Sequence, residues 1–302
     1  MTTLFMLVGL PGSGKSFTAK VLSRKNNAEI IESDAYREKL YGDASIQGDN
    51  NKLFEKIHKD VFDLLNNGVN VIFDATNISY KHRIALLRKI EKLPIEKICY
   101  LLATELRICS ERNKGRDRVV PDYVLDRMWK SFTVPQYREG FDKIEILFEY
   151  EPENYNLGKY HTAIMGFEQD NIYHTKSLGD HIQAVVDNIR AVKGDNNLLI
   201  AGFLHDNGKL HTKTFKNMKG VETEGAHYYS HENVGAYEAL FFLNEYKLLN
   251  PREILWICGL IQYHMRAYHL ETEKAKEKLL NLVGREMYEQ LVVLNEADRK
   301  AH

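Results

Sequence analysis

Residues 9–16, Gly9-Leu10-Pro11-Gly12-Ser13-Gly14-Lys15-Ser16, satisfy the phosphate-loop pattern G-x-x-x-x-G-K-S/T at every required position. No other stretch constrains the fold as much, because this loop works only between a strand and the start of a helix. Both flanks agree. An apolar run, Leu4-Phe5-Met6-Leu7-Val8, precedes it, and a helix-like run, Phe17-Thr18-Ala19-Lys20-Val21-Leu22, follows. Glycines let backbone N–H groups turn inward around a phosphate, and the new helix points its positive end at the same anion. Gly9, Gly12, Ser13 and Gly14 would cradle the phosphates of ATP. Lys15 would neutralise its β- and γ-phosphates, and the Ser16 hydroxyl would ligate Mg²⁺.

The chain then alternates. Residues 29–32 read as a second strand, and Ser33 is expected to cap the helix that follows. Asp34 falls at that strand's carboxyl end, where open α/β sheets build their sites. A carboxylate there can take the proton of an attacking hydroxyl. Arg37, one turn on, can hold a substrate anion. Residues 50–67 read as helix and 69–73 as strand, ending at Asp74-Ala75-Thr76-Asn77. An acidic residue at a strand tip can act on Mg²⁺ through water. A helix over 79–92, ended by Pro94, and a strand over 95–102 follow.

Four basic residues then stand in seven, Arg112-Asn113-Lys114-Gly115-Arg116-Asp117-Arg118, between two helical segments. Such a loop suits a lid whose guanidinium groups balance charge on a transferring phosphoryl group. A helix from Pro121 to about 132 and a last strand over 141–150 complete the pattern. The alternation predicts an α/β domain over residues 1–150 with a mostly parallel, doubly wound sheet.

Net charge excludes a general basic field. The 302 residues carry a formal charge of −1. Residues 1–150 hold 24 Lys+Arg against 21 Asp+Glu, leaving 17 against 21 beyond them. A nucleic-acid partner would therefore need a local patch. Three scattered cysteines, Cys99, Cys109 and Cys258, suggest reduced thiols and a cytoplasmic setting. The amino-terminal apolar run reads as a core strand rather than a signal peptide, and no run approaches the ~20 apolar residues of a membrane span.

Residues 151–156, polar with one proline, mark the expected domain boundary, and 157–302 read as an all-α domain. Histidine concentrates there: of 12, only His58 and His82 precede residue 160. His181 lies on one predicted helix, and His205-Asp206 closes the next, with Lys209 behind. His227 and His231 follow a loop, His264 ends another apolar helix, and Asp298 lies in the last. Imidazoles and carboxylates at the ends of packed helices suit one or two divalent metals. Residues 210–230 read as a hairpin turning at Lys219-Gly220.

Two resemblances follow. The phosphate loop, Ser33-Asp34-x-x-Arg37, Asp74-Ala75-Thr76-Asn77, and Arg112-x-x-x-Arg116 with Val120-Pro121 resemble the 5′-hydroxyl polynucleotide kinase domain of phage end-healing enzymes. That likeness implies Asp34 as general base, Arg37 on the phosphate 3′ of the acceptor nucleotide, and Arg112 and Arg116 in a lid. Asp74, Thr76 and Asn77 would approach the substrate. One place departs: the family's acidic residue stands one position later, where this chain has Ala75. His181, His205-Asp206, His231, His264 and Asp298, in that order, resemble the HD-domain phosphohydrolases. That likeness implies a first metal on His181, His205, Asp206 and Asp298. His231 and His264 would mark a two-metal site filled by Mn²⁺, Co²⁺, Ni²⁺, Fe²⁺ or Mg²⁺. Lys209, His174 and His227 would contact the phosphate or substrate.

One half would add phosphate and the other remove it, which is coherent on a broken strand. The expectation is an end-healing enzyme for RNA or DNA. It would phosphorylate 5′-OH ends and clear 3′-phosphate or 2′,3′-cyclic phosphate ends, and a homo-oligomeric assembly and partnership with a ligase are further expectations. Two alternatives stay open: both enzymes acting on a small nucleoside or nucleotide, and a kinase with a nucleotide-sensing, non-catalytic HD half.

Overall fold

The computed structural model describes residues 1–43, 48–116, 118–171, 176–247 and 249–302. Two compact units divide the chain: Met1–Trp129 with Pro135–Tyr150, and Lys130–Val134 with Glu151–His302. The short piece Lys130–Val134 thus belongs with the second unit, although it precedes the last strand of the first.

The first unit runs β1 (Thr3–Val8), α1 (Lys15–Asn26), β2 (Ala28–Glu32), α2 (Ser33–Tyr41), α3 (Asn50–Asn66), β3 (Asn70–Asp74), α4 (Tyr80–Lys89), β4 (Glu96–Thr104), α5 (Leu106–Lys114), α6 (Asp122–Lys130) and β5 (Lys143–Glu149). Its five strands are all parallel, in the order β2-β3-β1-β4-β5. Every residue of the central strand β1 is buried, as a continuous apolar run in a parallel sheet should be. Phe5, Leu7, Ile72 and Leu102 of the sheet pack with Ala19 and Leu22 of α1.

Local chemistry shifts some expected boundaries. Ser33 is the first residue of α2 rather than its cap; Glu32 takes the cap position, with no side-chain hydrogen bond. α4 ends at Lys89, well before Pro94, in a run of turns. Arg112 and Lys114 lie in the last turn of α5, so the basic loop begins only at Gly115.

The second unit contains α7 (Leu157–Met165), α8 (Leu178–Ala191), α9 (Asn196–Leu204), α10 (Lys209–Thr212), β6 (Thr214–Lys216), β7 (Glu222–His227), α11 (His231–Glu245), α12 (Pro251–Tyr263), α13 (Glu273–Val283) and α14 (Arg285–Arg299). Among the described residues it is helical apart from the antiparallel ribbon β6-β7, which turns at Gly220 with φ 79°. Thr212, expected in that hairpin, closes α10 instead. Leu240, Phe241, Ile257, Leu260, Ile261, Leu291 and Leu294 are fully buried on α11, α12 and α14, with α12 packed against both of the others. No helix among the described residues is long and apolar enough to cross a membrane. All three cysteines are free and buried.

Candidate functional site

In the first unit, the carboxyl ends of β1, β2 and β3 open onto one cavity of about 830 Å³. Gly12, Gly14, Lys15 and Ser16 line it, with Asp34, Arg37, Asp74 and Thr76. The loop has the backbone its sequence requires: Gly12 and Gly14 have φ of 85° and 87°. A Cβ on Gly12 would stand 2.3 Å from the Cys109 carbonyl oxygen, so only glycine fits there.

Lys15 donates to the carbonyls of Gly9 at 3.0 Å and Leu10 at 2.7 Å. Burial lowers its pKa to about 8, against the opposing pull of Asp74. Ser16 hydrogen-bonds the Asp74 carboxylate, whose pKa burial raises. A hydroxyl and a carboxylate so paired, beside a lysine, fit Mg²⁺ on a nucleotide.

Thr76 and Asn77 lock this corner. The Gly9 N–H donates to the Thr76 carbonyl at 3.0 Å, and the Asn77 amide donates to the Leu7 carbonyl at 2.8 Å. Together they hold the end of β3 against the end of β1. Asn77 is 4% exposed, and neither it, Gly9 nor Ser13 lines the cavity. Behind the corner, Arg83 makes a buried two-pronged pair with Glu139 at 2.6 and 2.7 Å and donates to the Asn77 carbonyl at 2.9 Å.

The basic residues divide their partners. Asp34 pairs with Arg118 at 3.1 Å. Arg112 forms a two-pronged pair with Glu149, one arm at 2.6 Å. The guanidinium of Arg37 donates to Asn50 at 2.9 Å. Arg112, Arg116 and Arg118 all line the cavity. Arg118 stood in the basic run as read from sequence, yet its link to Asp34 joins the far side of that run to the first turn of α2 and is invisible in spacing.

The second unit gathers its ligands at Asp206. The Asp206 Oδ2 lies 3.4 Å from His181 Nε2, 3.3 Å from His205 Nε2 and 2.8 Å from the Lys209 ammonium. Its Oδ1 lies 3.3 Å from His231 Nε2 and 3.9 Å from His264 Nε2. Asp298 Oδ1 joins the first group, 3.1 Å from His181 and 3.8 Å from His205. Two buried ligand triads result, His181-His205-Asp206 and Asp206-His231-His264, each with its donor atoms within 4.8 Å. One carboxylate serves both.

Backbone carbonyls aim three of the rings. The Nδ1 of His205, His231 and His264 contacts the carbonyl three residues earlier, at 2.8, 2.8 and 2.7 Å, on Gly202, Tyr228 and Ile261. A carbonyl only accepts, so each Nδ1 carries the hydrogen and each Nε2 turns toward the cluster. The start of α10 lies close against α11: a Cβ on Gly208 would stand 2.0 Å from the His231 carbonyl oxygen, so glycine is required there.

Electrostatics follow the same geometry. Burial alone would raise the Asp206 carboxyl; His205, Lys209 and the imidazole hydrogen bonds outweigh it and hold the group well below the carboxylate range. Burial likewise opposes ionisation of Asp298, yet the His181 hydrogen bond keeps it low. His181 is lowered by burial but raised more by Asp206 and Asp298, to about 9. Buried imidazole nitrogens around two ionised carboxylates fit one or two divalent cations.

Sequence reasoning missed two neighbours. Tyr268 donates to Asp298 Oδ2 at 2.6 Å, and His302 stacks on His181 at 5.0 Å. Tyr268 is four residues beyond His264, the one hint that spacing offered. His227 stacks on Tyr229 at 5.2 Å and is not in either triad, and Lys209 also donates to Gln169 at 2.8 Å. His174 lies outside the described residues.

Comparison with known proteins finds two family matches along the chain. The AAA domain family matches residues 4–135, and the HD domain family residues 174–301. The L-seryl-tRNA(Sec) kinase of Methanococcus maripaludis is 28% identical over 153 residues, covering 47% of this chain and 57% of that protein. The chain thus spans little more than half the length of this curated relative. A chain of the Pnkp1/Rnl/Hen1 RNA repair complex superposes with a TM-score of 0.39 at 22% identity, covering 42% of each chain. A fungal RNA kinase superposes with a TM-score of 0.39 at 13% identity, covering 67% of this chain and 48% of the other.

Proposed function

We propose that this chain, a P-loop kinase-type domain followed by an HD domain, heals broken nucleic-acid ends. The first unit phosphorylates a 5′-hydroxyl from ATP, and the second removes a 3′-phosphate or opens a 2′,3′-cyclic phosphate. The observation that carries the reading is the presence, in one chain, of two phosphate centres suited to opposite chemistry. One is a cavity lined by both Lys15 and Asp34; the other is a buried histidine nest arranged on Asp206.

In the kinase half, the loop glycines and Lys15 would hold the β- and γ-phosphates, and Ser16 with Asp74 would hold Mg²⁺, which supplies charge neutralisation there. Asp34 accepts the proton of the acceptor hydroxyl as its oxygen attacks the γ-phosphorus in line. Arg118 orients the Asp34 carboxylate, and Arg112 and Arg116 balance charge on the transferring group. Arg37 holds the phosphate on the 3′ side of the acceptor nucleotide.

In the HD half, His181, His205, Asp206 and Asp298 would hold one cation, and Asp206, His231 and His264 a second. Such ions supply Lewis acidity toward a phosphate ester. Lys209 orients Asp206 and places positive charge at the edge of the nest. Tyr268 fixes the second oxygen of Asp298, so the first stays turned to His181.

The test is product analysis of a 5′-OH oligonucleotide carrying a 3′-phosphate or a 2′,3′-cyclic phosphate, incubated with ATP and each divalent metal in turn. The reading expects a 5′-phosphate and a 3′-hydroxyl or a 3′- or 2′-monoester. Transfer confined to free nucleosides or sugars would replace it with a small-molecule kinase.

A further inference from the structure

α3 and α4 bring to the phosphate-loop cavity a set of side chains that phosphoryl transfer itself does not require. Phe54 on α3 and His82 on α4 stack with 5.9 Å between ring centroids and 16° between planes. His58, one turn along α3, packs its ring 6.0 Å from Phe54 at 57°. All three line the cavity, together with Lys81 and Lys89 of α4. Phe54 is half-buried, while His82, Lys81 and Lys89 are exposed, so the stacked rings still offer a face.

The chemistry of the surface is specific. Burial, helped by Lys89, lowers His58 to about 4, and burial with Lys81 lowers His82. Both imidazoles are therefore neutral at pH 7 and act as flat π surface, not as anion holders. The two lysines supply the charge. Aromatic faces beside flexible cations are how proteins hold single-stranded nucleic acid: a base stacks and the backbone phosphates pair. A sugar acceptor would need hydrogen-bonding groups where this surface has rings.

We propose that Phe54 and His82 stack the terminal base of a single-stranded nucleic acid whose 5′-hydroxyl lies at Asp34, with Lys81 and Lys89 taking the phosphates that follow. This rests on the reading of the first unit as a 5′-end kinase and adds to it a subsite for the terminal base and the phosphates that follow.

Full-length protein with Mg²⁺ and ATP tests it on three acceptors: a short 5′-OH oligonucleotide, the same strand with an abasic terminal nucleotide, and a nucleoside 3′-monophosphate. In the unaltered protein, loss of the base should raise the acceptor KM roughly tenfold. Phe54→Ala with His82→Ala should raise it similarly for the intact strand, add little for the abasic one, and leave the KM for ATP alone. Phe54→Leu keeps most of the packing volume and should show the same base-dependent loss, which covers early melting of the alanine variant. Lys81→Gln with Lys89→Gln should weaken the oligonucleotide but not the mononucleotide, and reduce the salt dependence. Equal KM values for intact and abasic strands, or a penalty that ignores the base, would overturn the subsite while the end-kinase reading stands. No transfer to any oligonucleotide by the unaltered protein would overturn that reading itself.

Discussion

The Nε2 atoms of His231 and His264 face each other across 3.3 Å. Each ring has committed its Nδ1 hydrogen to a backbone carbonyl, so two neutral rings would oppose two lone pairs. One positive centre between them removes the conflict, whether proton or metal ion. The two rings answer differently: hydrogen bonding to Asp206 raises His231 against its burial, while burial and the neighbouring His231 and His205 push His264 down to about 3. Imidazoles arranged this way exchange a proton for a cation readily.

Sharing of Asp206 between the two triads sets the first prediction. Asp206→Asn should abolish both metal equivalents and the phosphohydrolase activity, while His264→Ala should remove about one equivalent. The kinase should survive both changes, because its groups lie in the other unit. Metal content after dialysis, read beside both activities, checks this. Full occupancy in Asp206→Asn would contradict it.

Asp34 carries the second. Asp34→Asn should slow phosphoryl transfer to the acceptor by about 10²–10⁴-fold. The KM for ATP should move little. A loss of ATP binding as large as the loss of turnover would mean that Asp34 serves the nucleotide instead.

The buried Lys15 predicts a pH dependence. Its pKa in the nucleotide-free protein is lowered to about 8. Below that value the ammonium is formed and ready for a triphosphate; above it, ATP must also bring a proton. Affinity for ATP should therefore fall as pH rises past 8, by up to about tenfold per unit. Lys15→Arg should flatten the profile, since a guanidinium keeps its charge. Equilibrium binding of ATP between pH 7 and 9.5 is the measurement.

Arg83 and Glu139 supply a prediction about folding. Both side chains are almost completely buried, so Glu139→Gln or Arg83→Met leaves a buried charge without its counterpart. Either should cost about 3–5 kcal/mol in the stability of the first unit. The double variant Arg83→Met with Glu139→Leu should recover part of it. Urea unfolding followed on each unit's own signal separates this from any change in the HD unit.

Much of the fold was legible because its signals are local. The phosphate loop needs a strand before and a helix after within a few residues, and β1 and α1 supply them. Continuous apolar runs marked β1 and β3 as buried strands of a parallel sheet. The histidines and aspartates of the second unit were legible as a set because their order along the chain is distinctive. Ends were less so: α4 stops at Lys89 through its own turns, and no pattern around Pro94 says where.

By itself, then, the sequence determined the kinds of element and the phosphate cradle, which depend on residues a few positions apart, and marked out the candidate metal donors by their order along the chain. Only the tertiary structure decided that Asp206 turns one oxygen to each triad, that Arg118 meets Asp34, and that Phe54 and His82 close on each other from α3 and α4. Those relationships join residues from about 25 to more than 80 positions apart. Spacing along a chain carries no information about contacts that only the packing of several elements creates.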